Sequence, residues 1–204
     1  TKELVEKLNL SQKIAKIGYW EFDTITEEIF WTDEVYHIWG LEKESSSPNF
    51  QQFIQSFHPD DIEEFLPKHY AALRGEAVLD AVHRVITPDG TIKYVHEKGW
   101  LDKNSSIGKD IFKGTVQDIS YEKEIEKRLK DRNLFIESTL MNLPMGIAVN
   151  NLSTGNTNFV NPAFSKAYGW PEEELKDMET FFLKIYPDPA YRKEIKERVL
   201  QDIH

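Results

Sequence analysis

Few residues in this chain are of a type and spacing suited to chemistry. Asp60 and Asp61 stand side by side, and paired carboxylates can divide acid and base roles. Adjacent helical positions point apart, however, and a place just after Pro59 puts both in a first turn, where acidic groups answer the helix dipole. The 6 histidines form neither an i,i+4 pair nor an HExxH pattern, so no zinc site is predicted. There is no cysteine, which closes thiol catalysis, thiolate metal binding and disulfides. No nucleophile stands at a useful spacing from a base, and no Gly-rich loop would cradle a phosphate. The residues predict no enzyme in this segment.

Two other groupings remain. Trp20, Phe22, Trp31, Trp39, Phe53, Phe57 and Trp100 form an aromatic set able to line a cavity. Ordinary core packing, with no bound cofactor, is the plainer account of aromatics at strand and helix spacing. Asp118 and Ser120 stand where a strand gives way to a helix, and residues of these types satisfy the orphan amides of a helix start. Lys123 occupies the place where Glu would complete a capping box.

The elements that must position these residues follow from periodicity. Residues 1–16 read as a leading helix with Leu4, Val5, Leu8 and Ile14 as an apolar stripe. GYWEFDT and EEIFWT read as strands joined by a turn. Asp33 then caps a short helix that Gly40 closes. After a Ser-Ser-Ser-Pro loop at 45–48, Phe50, Phe53, Ile54 and Phe57 share one helical face. Pro59 opens a longer helix, which Pro67 is predicted to break or bend and Gly75 to end. Strands over 77–87 and 91–102 flank the turn Pro88-Asp89-Gly90, and a third over 110–120 follows a Ser-Ser-Ile-Gly loop. Two strands, helices, then three strands predict an α+β domain with one antiparallel sheet over 17–120.

Residues 121–143 lack any interior Pro or Gly and predict a stiff linker helix about 33 Å long. Ile125, Leu129, Arg132, Ile136 and Leu143 fall near heptad spacing, with Arg132 as a defect, and Glu124–Arg128 and Glu126–Lys130 add i,i+4 support. The seam calls for a partner helix, so a homodimer through the leading and linker helices is expected.

The chain also repeats itself. Gly18 precedes Gly146 by 128 residues, and Phe30 and Gly40 precede Phe159 and Gly169 by 129. Phe53, Pro59 and Asp60 answer to Phe181, Pro187 and Asp188 at 128 again. Residues 144–204 thus read as the first part of a second copy, lacking the last three strands and left with open sheet edges.

Composition sets the outer limits. The 204 residues are 40% hydrophobic and carry a net charge of −10, which fits a chain with a real core that phosphate backbones and anionic membranes repel. Neither nucleic acid nor direct membrane contact is expected. No run approaches 18 apolar residues, and a cytoplasmic location, in a parent with or without an anchor, is the expectation.

IGYWEFD, FWTDEVYHIWGL, the HPDD step, RVITPDGTIKYVHEKGW and the closing GTVQDISYEKEIEKRL together resemble PAS domains of the subtype common in sensor histidine kinases, with their C-terminal PAC motif. MGIAVNN and NFVNPAFSKAYGWPEEEL resemble the same opening again. The resemblance implies a five-stranded antiparallel sheet with helices on one face and a cavity between them. It implies a sensor that binds a small molecule or dimerises, and that passes strain through its exit helix to an output domain: histidine kinase, diguanylate cyclase or transcription regulator. It gives Asp118 and Ser120 a role in coupling sheet to helix. It also places His69 near where haem-sensing members hold their axial ligand, although the second copy has Glu197 at the matching position. Covalent flavin chemistry needs the missing cysteine. Noncovalent flavin and haem stay as alternatives to an expectation of no cofactor.

Overall fold

The structure is a computed structural model and describes residues 2–43, 48–103, 109–151, 153–170, 174 and 177–201. The serine loops predicted at 45–48 and 105–108 fall largely outside these residues, as do the side chains of Leu4, Val5 and Leu8. The chain divides into two units, Thr1–Lys127 and Arg128–His204.

The first unit holds α1 (Lys2–Ala15), β1 (Ile17–Asp23), β2 (Ile29–Trp31), α2 (Asp33–Trp39), α3 (Phe50–Gln55), α4 (Pro59–Leu73), β3 (Leu79–Ile86), β4 (Ile92–Asp102), β5 (Ile111–Asp118) and the start of α5 (Ser120–Asn142). Its five strands form one antiparallel sheet in the order β2-β1-β5-β4-β3, the α+β architecture expected. In β3 the odd-numbered residues from Leu79 to Val85 are buried while Asp80 and Val82 are exposed. This period of two turns one face of the sheet toward the helices.

One row across that inner face explains its shape. Trp31 of β2 pairs with Trp20 of β1, Trp20 with Gly114 of β5, and Gly114 with Gly99 of β4. A Cβ on Gly99 would come within 2.8 Å of the Trp20 ring, and one on Gly114 within 2.7 Å of that ring and 2.0 Å of the Lys98 carbonyl oxygen. The indole of Trp20 therefore occupies the room that two strand glycines leave, which is why the sheet tolerates glycine there.

Local signals account for most helix ends. Gly40 closes α2 at φ +67°, a left-handed value that favours glycine. The cap of α2 departs from expectation: Thr32, not Asp33, precedes the first turn, and its Oγ1 accepts the Tyr19 N–H rather than a helix amide. Asp33 is the first helical residue, placed for its charge. Pro67 does not end α4, which runs on through it to Leu73. The residue is exposed, so water can take the carbonyl that proline leaves without a donor.

The second unit contains the remainder of α5, the antiparallel pair β6 (Ala148–Asn150) and β7 (Thr157–Val160), and helices α6 (Pro162–Tyr168), α7 (Met178–Ile185) and α8 (Pro189–Gln201). A Cβ on Gly18 would strike Val35 at the start of α2; one on Gly146 would strike Phe164 at the start of α6. Gly169 closes α6 at φ +79°, as Gly40 closes α2. Pro59 is the first residue of α4; α8 starts at Pro189, behind Asp188, whose carboxylate accepts the Tyr191 N–H.

Candidate functional site

Between the sheet and its helices lies a cavity of about 40 Å3, lined by Trp20, Phe22, Ile29, Trp31 and Phe112 from the sheet, Val35 and Trp39 of α2, Phe50 and Phe53 of α3, and His69 of α4, with Glu21 and Glu97 as its acidic groups. A cavity holds roughly one water per 10–15 Å3 of such volume, so the space suits about three or four non-hydrogen atoms.

Of the aromatic residues expected at a cavity, Trp20, Phe22, Trp31, Trp39 and Phe53 are brought together here. Phe57 is buried but away from the lining, packed face to face on His83 with ring centres 4.1 Å apart. Trp100 is misplaced by the sequence reading. It is 44% exposed, because Val95, Glu97 and Gly99 take the inward positions of β4 and the alternation sends Trp100 to the outer face.

His69 is buried against Phe50, Phe65 and Phe112, with ring centres 5.3–5.6 Å away. Its Nδ1 has no hydrogen-bond partner, and burial pushes its pKa below the usual histidine value, so the ring is neutral. The indole N–H of Trp20 is likewise buried without a partner.

Glu97 was not visible as a site residue in the sequence, where it reads as one more charge in a hairpin. Strand parity carries it inward. Its side chain is 3% exposed, and Oε2 lies 3.1 Å from His83 Nε2, whose Nδ1 bonds to nothing. Glycine at positions 99 and 114, in the interior of two strands, was the available signal that something bulky lies over them.

A second feature adjoins the sheet. β5, which supplies Phe112 to the cavity, ends at Asp118 and gives way to α5 after one residue. The Asp118 carboxylate accepts the Ser120 N–H at 2.9 Å, an Asx-type cap. Ser120 Oγ accepts the Tyr94 N–H at 2.9 Å, and the Ile119 N–H donates to the Tyr94 carbonyl at 2.9 Å. The Asp118 N–H donates to Lys16 O at 3.1 Å, and Gln117 Nε2 to Ala15 O at 3.3 Å. The end of α1, the start of β4 and the start of α5 thus meet at one corner. Farther along α5, Ile125, Leu129 and Ile136 are 36%, 56% and 43% exposed, and Leu134 and Phe135 are also bare.

The enclosed space is smaller than haem or a flavin. Each is a ring system many times larger than three or four atoms, and the single histidine is wedged among aromatic rings. Among the described residues no cluster of three or more acidic, histidine or cysteine side chains is placed to hold a metal ion, and no helix is long and apolar enough to cross a membrane.

A five-stranded antiparallel sheet in this order, covered on one face by short helices around an aromatic cavity and running into a long helix, is the architecture that the family resemblance implies. Residues 28–116 match the family model of the PAS fold, and the first unit is a PAS domain. Over 172 residues the chain is 22% identical to the sensor protein FixL of Bradyrhizobium diazoefficiens, an alignment that covers 84% of this chain and 34% of that protein. The chain therefore spans about a third of the curated relative it matches. Its fold is similar to that of a sensory box histidine kinase/response regulator from Burkholderia thailandensis, with TM-score 0.52, 22% identity, and coverage of 65% of this chain and 98% of that one.

Proposed function

We propose that this chain is the sensory part of a signalling protein, a two-component sensor histidine kinase, in which the cavity of the first PAS domain takes a small molecule and the linker helix carries the response to an output domain. The observation that supports this most directly is the continuity of β5, which faces the cavity through Phe112, with the corner that holds the first residues of α5. A ligand that displaces Phe112 or Trp20 moves the strand that ends in Asp118, and the hydrogen bonds at Ser120 convert that movement into a tilt or rotation of α5. Small shifts of this kind become discrete states because packed elements are bistable.

In this reading, residues 17–120 are one complete PAS domain, 121–143 the signalling helix, and 144–204 the opening of a second PAS domain, supported by the matched glycine contacts and caps. The exposed residues Ile125, Leu129 and Ile136 pair with the same helix of a second copy. No cofactor is needed, and a cytoplasmic location suits a domain with these surfaces. The similarity to a sensor protein supports a signalling parent, and the family resemblance favours a kinase over a diguanylate cyclase or transcription regulator. The deciding experiment uses the full-length parent. Asp118→Ala is expected to leave ligand binding intact and to abolish the ligand's effect on autophosphorylation; an unchanged response in that variant sinks the coupling role.

A further inference from the structure

We propose that the cavity of the first unit selects a small organic ammonium ion, with its charge against Glu97 and its carbon skeleton among Trp20, Trp31 and Trp39. The inference rests on the reading of the cavity as the ligand site and gives that ligand a chemical class.

The polar lining is one-sided. It contains two carboxylates, Glu21 and Glu97, and neither lysine nor arginine. Glu21 is already engaged, accepting the Tyr19 hydroxyl at 2.6 Å. Glu97 is the deeper group, 3% exposed, and only Oε2 is bonded, to His83; Oε1 has no hydrogen bond among the described residues. A buried carboxylate with an unused oxygen carries a desolvation penalty that a donor inside the cavity removes. A cationic donor removes more of it than a neutral one, since charge-assisted bonds are about twice as strong. His69, the one base in the lining, is held neutral by burial and supplies no competing cation.

The apolar lining favours the same class. Three tryptophans and four phenylalanines share the lining with the acidic group, and the faces of such rings attract cations. An anion would meet Glu97 with no cation to receive it. A neutral alcohol would donate one ordinary hydrogen bond. Size sets the last limit, because a cavity of about 40 Å3 takes an alkylammonium of about four non-hydrogen atoms.

The test compares three probes of about four non-hydrogen atoms on the purified full chain at fixed ionic strength: n-propylammonium chloride, 1-propanol and sodium acetate. Calorimetry and the indole N–H resonances are followed up to tens of millimolar, the range that ligands of this size require. Saturable binding of n-propylammonium, at least tenfold tighter than 1-propanol, with no binding of acetate, is the expected result. Glu97→Gln should lower n-propylammonium to the level of the alcohol, and Ile29→Trp, which fills the cavity from β2, should abolish binding of both. Equal binding of the alcohol, binding of acetate, persistence in either variant, or no binding of n-propylammonium each overturns the proposal. If Glu97→Gln does not fold, the ranking of the three probes and the Ile29→Trp variant decide it. Equal affinity for alcohol and amine would refute charge selection and leave the cavity a ligand site. Tight amine binding without a response from the full-length parent would refute the signalling role and leave the selectivity standing.

Discussion

The hydroxyl of Ser120 accepts the backbone N–H of Tyr94 at 2.9 Å, so the first residue of α5 is fastened near the start of β4, a strand that is not its neighbour in sequence. Helix starts usually look after their own amides. Here the Asp118 carboxylate serves the Ser120 N–H, which frees the serine hydroxyl to hold another element.

Ser120→Ala should therefore loosen the corner without harming the cavity. Loss of this one exposed bond costs about 0.5–1 kcal/mol. Hydrogen exchange at the Tyr94 amide should accelerate, with urea unfolding reporting the small loss. Protection of that amide equal to wild type would show that the hydroxyl is not its anchor.

Gly114→Ala should be far more damaging than a typical strand substitution. Its Cβ would stand 2.0 Å from the Lys98 carbonyl oxygen and 2.7 Å from the Trp20 ring, so backbone and indole must both yield. A cost above about 3 kcal/mol or failure to fold is expected, in the range of severe overpacking. Gly99→Ala meets mainly the Trp20 ring and should cost less; chemical denaturation of the two variants checks the order.

Asp61 joins α4 to the sheet by accepting the Arg84 N–H at 2.7 Å and its guanidinium through both carboxylate oxygens. The guanidinium holds the Asp61 carboxyl below the usual carboxylate range, against an opposing push from burial. A carboxyl whose folded pKa is depressed adds stability that is present above its unfolded value near 4 and lost as pH falls through the folded value. Asp61→Asn should cost about 1–3 kcal/mol at neutral pH. It should also flatten the fall in stability below about pH 4, as read by thermal melts across pH.

His69 acts on a different pH window. Burial lowers its pKa, so the folded state binds fewer protons than the unfolded chain. The resulting stability is complete above the unfolded value of about 6.5 and is lost as pH drops through it toward the folded value. His69→Phe keeps an aromatic ring between Phe50 and Phe65 and removes the titration. Its melting temperature should change less than wild type's between pH 7.5 and 5; an equal decline in both proteins would assign the acid sensitivity elsewhere.

Leu129→Glu tests the helix seam, since Leu129 is 56% exposed. Light scattering should show a dimer of the wild-type chain converted to monomer, while a wild-type monomer would end the pairing proposal.

Much of this protein was written locally. Gly40, the Pro88-Asp89-Gly90 turn, the period of two in β3 and the unbroken run of α5 each report a backbone preference that neighbours in sequence suffice to express, so elements and class were legible. The same locality misled where solvent decided. Pro67 ends no helix because its face is wet, and Thr32 yields its capping role to Tyr19, a residue of another strand. The cavity was legible only in part: Trp20, Phe22, Trp31, Trp39 and Phe53 were expected there, whereas Glu97 was not and Trp100 lies outside. Whether Trp100 or Glu97 faces inward depends on one step of strand parity, and whether Trp20 has room depends on Gly99 and Gly114, which stand far from it in the chain and beside it in the sheet. Composition and periodicity fix what a segment prefers. Only the register between distant strands determines which side chains share the interior, and with them the chemistry that the interior can hold.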